Sequence, residues 1–98
     1  MHMACHIPNR VLNVLLALAK QHNIEKILLF GSRARGTNGE RSDIDIAVSG
    51  GNYDAFFADV KEKMPTLISF DVVRLDEKTP SSLLAEIRRD GVTIYEKT

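Results

Sequence analysis

Near the start of the chain, apolar residues recur at helical spacing: Val11, Leu12, Leu15, Leu16, Leu18 and Ala19. This predicts a helix over residues 8–22, with Pro8 in its first turn and Asn23 as its stop. Residues 24–30 form a short, almost unbroken apolar run closed by Gly31, the pattern of a buried strand. Residues 32–35 suffice for one helical turn that Gly36 ends, and 37–42 are a polar loop. Residues 43–49 alternate polar and apolar, which predicts a second strand broken by Gly50 and Gly51. Ala55, Phe56, Phe57, Val60 and Met64 outline a helix over 53–64, capped by Asn52 and stopped by Pro65. A third strand follows over 67–75. A last helix begins at Ser81 or Ser82 and ends at Asp90, with Gly91 as its C-terminal cap, and a final strand covers 92–96. Helices alternating with strands place the chain in the α/β (α+β) class, as a small mixed sheet covered by helices.

At 98 residues the chain has room for one hydrophobic core, so residues 1–98 read as a single domain, with 1–6 as a frayed terminus. Thirteen basic residues balance thirteen acidic ones. A module held by phosphate contacts to duplex nucleic acid is usually clearly basic, so no direct nucleic-acid partner is expected. No apolar run reaches the length of a membrane span, and 11–19, interrupted by Asn13, lacks the layout of a signal peptide. The lone cysteine, Cys5, forms no intrachain disulfide and fits a reducing cytoplasm. His2, Cys5 and His6 make a poor zinc set, since no second ligand pair follows.

Three features carry candidate chemistry. Gly31-Ser32 stands directly after a predicted strand and before a predicted helix. Glycine permits a close approach of the backbone to a ligand, and a helix start offers N–H groups to an anion, with the Ser32 hydroxyl as a further donor. An ordinary strand-to-helix turn looks the same. Asp43-Ile44-Asp45-Ile46 places two carboxylates on one side of a strand and isoleucines on the other. Like charges held so close repel each other, and a divalent ion such as Mg²⁺ relieves the repulsion; a solvated strand face dotted with acids is the alternative. Asp71 lies within the apolar stretch Ile68-Ser69-Phe70-Asp71-Val72-Val73. There it is costly unless it is paired, for instance with Arg74, or bound to metal. If the third strand lies beside the second, Asp71 can join Asp43 and Asp45 within a few ångströms, as a two-metal or metal-plus-base site.

Phe30-Gly31-Ser32, ten further residues and then Asp43-Ile44-Asp45-Ile46 resembles the signature of the DNA polymerase beta-type nucleotidyltransferase superfamily. The stretches 29–36 and 42–48 are similar to its minimal, single-domain branch. Asp71 falls where that family carries a third carboxylate, and Arg89-Asp90-Gly91-Val92 resembles its closing helix–strand. The resemblance implies a palm-like fold in which Gly31 and Ser32 hold the phosphates of ATP, with Arg33 as the nearer of Arg33 and Arg35. Asp43, Asp45 and Asp71 would bind one or two Mg²⁺ ions, Asp71 also helping to activate the acceptor hydroxyl. The reaction implied is transfer of a nucleotidyl group, most often AMP, with loss of pyrophosphate.

Minimal members of the family commonly accompany a helical HEPN-type protein in toxin–antitoxin pairs, the transferase being the antitoxin. The resemblance therefore implies a HEPN-type partner and a homo- or hetero-oligomer. Tyr53, Phe56 and Phe57 then either pack on the sheet or expose apolar surface to that partner. A module that binds nucleotide or partner and neutralises a toxin by occlusion, without turnover, is the rival reading.

Overall fold

The computed structural model describes residues 7–39 and 41–97, so His2, Cys5, His6 and the expected frayed terminus lie outside the described residues. In chain order come α1 (Asn9–Gln21), β1 (Lys26–Phe30), α2 (Ser32–Arg35), β2 (Ile44–Ser49), α3 (Tyr53–Lys63), β3 (Phe70–Arg74), α4 (Ser81–Asp90) and β4 (Val92–Glu96). The strands form one sheet ordered β3-β2-β1-β4. β1 runs antiparallel to both β2 and β4, while β2 and β3 are parallel, which makes the sheet mixed, as expected.

Helix α1 turns Val11, Leu15, Leu18 and Ala19 inward. It ends where the sequence predicts. Asn23 takes the left-handed conformation (φ 58°), its N–H donating to the Lys20 carbonyl at 3.3 Å and the Ile24 N–H to Ala19 at 2.9 Å. This paired closure satisfies carbonyls the helix leaves open, and asparagine tolerates the left-handed region better than most residues.

Strand alternation sorts the core into two layers. Ile27, Leu29, Ile44, Ile46, Val48 and Phe70 face α1 and α3, where they meet Leu15, Leu18, Phe56 and Val60. Phe30, Ala47, Leu28, Val73 and Leu75 face the other way, onto Leu83 and Ile87 of α4. Among the described residues the result is helix, sheet, helix, with α1 and α3 on one side and α4 on the other. No helix of the described residues is long and apolar enough to cross a membrane.

Three strands start later than their apolar runs predict. β3 begins at Phe70 rather than Leu67, because residues 64–68 make local turn bonds instead of ladder bonds: Thr66 N–H to Met64 O at 2.9 Å and Ile68 N–H to Thr66 Oγ1 at 3.1 Å. β1 begins at Lys26, paired with Ser49, and β2 at Ile44, paired with Phe70. Gly91 caps α4 as predicted, but in an extended conformation (φ −65°) rather than a left-handed one. Its N–H donates to the Ile87 carbonyl at 2.6 Å, and a side chain at Gly91 would run into that same oxygen.

Candidate active site

The parallel pairing of β2 and β3 sets Asp45 directly opposite Asp71 in register. Register partners in a ladder share a face, and the next residues along, Ala47 and Val73, lie against α4. Asp43, just ahead of β2 and two residues before Asp45, is near enough for its charge to act on Asp45. Asp45 and Asp71 thus occupy the α4 side of the sheet, with Asp43 close by. Asp45 is half-buried, whereas Asp43 and Asp71 are exposed.

The turn after β1 closes on the same spot. Phe30 is the register partner of Asp45, and Gly31 follows it with φ 75° and ψ −156°, backbone that only glycine adopts readily. A Cβ at Gly31 would collide with Asp45 Oδ2 and stand 3.2 Å from its Cγ. The turn and the carboxylates are therefore parts of one site. Gly31 O accepts from the N–H groups of Ala34 (3.1 Å) and Arg35 (3.2 Å), which folds Ser32 and its neighbours into the one-turn helix α2.

Electrostatics show the crowding. The Asp45 carboxyl is pushed up to about 6, first by burial and then by the negative charges of Asp71, Asp43 and Glu86, while Arg35 pulls it back. Glu86 was missed in the sequence. It lies on α4, one residue before the buried Ile87 and three after Leu83, and only the packing of α4 against the sheet brings it toward Asp45. Asp71 and Asp43 thus act on Asp45, yet among the described residues no three His, Cys, Asp or Glu side chains form a ligand cluster. The donor set still suits a hard divalent cation, which takes carboxylate oxygens and water, and mutual repulsion among ionised acids is what such a cation relieves.

The two arginines of α2 diverge. Arg33 is 3% exposed, and its Nε donates to the Ser42 carbonyl at 3.0 Å, tying α2 to the loop that leads into Asp43. Arg35 is exposed on the side of the acids, its Nη1 donating to Asp90 Oδ2 at 2.9 Å. Asp71 does not pair with Arg74, which instead stands over the Tyr53 ring, 5.4 Å from its centroid, and 4.0 Å from Asp76. Phe56 is fully buried, while Phe57 is partly exposed and stacks on Tyr53 at 5.9 Å. Beside the acids, a cavity of about 340 Å³ is lined by Arg41, Asp43, Thr66, Leu67, Ile68 and Ser69.

Residues 13–98 match the family described as Polymerase beta, Nucleotidyltransferase. The chain belongs to this family. It is a minimal nucleotidyltransferase domain, with the small mixed sheet and covering helices that the sequence predicts. Comparison with curated proteins gives no match. Among solved structures, a chain of the crystal structure of a toxin–antitoxin with AMP-PNP is 23% identical with a TM-score of 0.65, over 93% of this chain and 76% of that one. A chain of the toxin–antitoxin MntA–HepT is 18% identical at TM-score 0.59, over 92% and 74%. A Sulfolobus solfataricus protein to which nucleotidyltransferase activity is ascribed is 20% identical at TM-score 0.51, over 90% and 82%. These likenesses are of fold.

Proposed function

We propose that the chain is a Mg²⁺-dependent nucleotidyltransferase that moves AMP from ATP onto a hydroxyl of a partner protein, acting in the cytoplasm as the antitoxin of a HEPN-type toxin. The observation that carries the reading is the register pair Asp45–Asp71 set beneath Gly31, with Asp43 beside it. Similarity in fold to chains of toxin–antitoxin crystal structures, one with AMP-PNP, supports the nucleotide and the partner.

The backbone of Gly31 and the hydroxyl of Ser32 bind the triphosphate, and Arg35 adds a forked donor at the rim. The burial of Arg33 and its bond to the Ser42 carbonyl favour a strut over the phosphate contact expected of it. Asp43, Asp45 and Asp71 hold one or two Mg²⁺ ions, which supply positive charge to the phosphate oxygens. The acceptor oxygen bonds to the α-phosphorus as the bond to pyrophosphate breaks, and the hydroxyl proton passes to the Asp71 carboxylate. The cavity on the Asp43 flank leaves room for the acceptor.

The test is incubation with α-labelled ATP, MgCl₂ and a HEPN-type partner. Label on the partner, matched by released pyrophosphate and lost in Asp43→Asn, is the expected result. A second reading is a module that neutralises its partner by occlusion, since no three acids among the described residues stand as a metal-ligand cluster. Tight partner binding without label would select it.

A further inference from the structure

The closing motif Arg89-Asp90-Gly91 has no part in the reaction above, yet it reaches the site. Asp90, the last residue of α4, has a side chain only 9% exposed, while that of Arg35 is 45% exposed. Arg89 fixes the carboxylate from its own side, Nε to Oδ1 at 3.2 Å and Nη2 to Oδ2 at 3.1 Å. Arg35 then meets Oδ2 at 2.9 Å, across 55 residues of sequence.

We propose that Asp90 is the positioning residue of Arg35, holding its guanidinium at the rim of the carboxylate row so that the arginine meets the triphosphate already oriented. Arg35 is the final residue of a four-residue helix, followed by Gly36 in the left-handed conformation, so its own element constrains it little. A long side chain ordered only when ligand binds loses rotamer freedom at that moment, which weakens binding; one already anchored does not. A guanidinium carries five N–H donors in a fixed plane, and the bond to Asp90 uses Nη1, leaving donors for phosphate oxygens. Asp90 is suited to the task because Arg89 and burial limit its own movement. Through it, α4 is coupled to the nucleotide turn that follows β1.

The inference rests on the nucleotidyltransferase reading, and the test separates the two. ATP and AMP, each with MgCl₂, are titrated into the full chain by calorimetry. Asp90→Asn is expected to weaken ATP binding roughly fivefold to tenfold, the range typical of one net hydrogen bond, since the contact itself is kept by Arg35 and only its orientation is lost. Binding of AMP, which lacks the two outer phosphates, should barely change. Asp90→Glu should recover most of the loss. Arg35→Ala should weaken ATP by at least as much, and the double variant should be no weaker than Arg35→Ala alone, since a positioning residue acts only through the residue it positions. In the labelled-transfer assay Asp90→Asn should raise KM for ATP and leave kcat nearly unchanged. An Asp90→Asn variant that binds ATP like the wild type, or losses that add in the double variant, would overturn the inference while the reaction class stands. A wild-type chain that binds no ATP would overturn both.

Discussion

Asp45 carries the main electrostatic strain of the site, and the strain has a definite sign. Its carboxyl is raised from the usual 3.8 to about 6, by burial first and by the neighbouring acids second. The folded protein therefore holds this proton more tightly than the unfolded chain does. Stability from this group is fully present below about pH 4, falls as pH rises toward 6, and is flat above. Because the side chain is only half-buried and solvent screens its neighbours' charges, the effect is about 1 kcal/mol rather than the larger value a full shift would imply. Asp45→Asn should thus raise the denaturation midpoint at pH 7 and lose that advantage at pH 4; equal gains at both pH values would exclude the mechanism. Gly31→Ala should act oppositely. Forcing a side chain to φ 75° costs about 1–3 kcal/mol, and its Cβ meets Asp45. The variant should fold with a lower midpoint and fail to bind ATP. Both residues were legible in the sequence, one as the glycine of a strand-to-helix turn and the other as half of an alternating acid pair. The burial of Arg33 was not legible, because spacing on a one-turn helix does not say which side the rest of the protein covers.

Among the elements, the longer helices were the easiest to read, since their burial follows their period. α3 shows this. Asn52 Oδ1 accepts the Ala55 N–H at 3.3 Å as an N-terminal cap, and Phe56 and Val60 point inward four residues apart. Phe56→Ala should cost about 3–5 kcal/mol, read as a drop in the midpoint of urea denaturation, whereas Phe57→Ala, at a partly exposed position, should cost much less. Equal losses would mean that the helix is rotated from its described face. Strand ends were harder to read, because apolar runs continue past the point where pairing stops. Leu67 is apolar yet fully exposed, ahead of the first β3 residue. Glu86 shows the other limit. Its helix was visible, but its approach to Asp45 depends on how α4 crosses the sheet, and that contact is long-range.

At the scale of the whole molecule, the site exists because the sheet is mixed. Parallel β2 and β3 place the acids of both strands at the same end, and antiparallel β1 delivers Gly31 to that end as it finishes. Alternation told which residues of a strand share a face, but not that β3 would run parallel beside β2, so the meeting of Asp45 with Asp71 was conditional until the strand order was known. The arrangement assembles like charges across two neighbouring strands, and folding must bear that repulsion whenever no cation is bound. A divalent cation should therefore stabilise the entire fold, and do so more strongly at higher pH. At a concentration about 100 times its dissociation constant, a ligand that binds only the folded state contributes roughly 2.7 kcal/mol. Near pH 5 the Asp45 carboxyl, with its value of about 6, is mostly protonated, so the cation must displace that proton before it can bind. One unit of pH below that value lowers the apparent affinity by about tenfold. MgCl₂ should raise the thermal midpoint clearly at pH 7.5 and much less at pH 5, and EDTA should reverse the shift. NaCl of matched ionic strength should not reproduce it, because screening softens the repulsion without bridging the acids. If Mg²⁺ shifts the midpoint equally at both pH values, Asp45 is not among its ligands. If it shifts neither, the acids across β2 and β3 do not form a metal site.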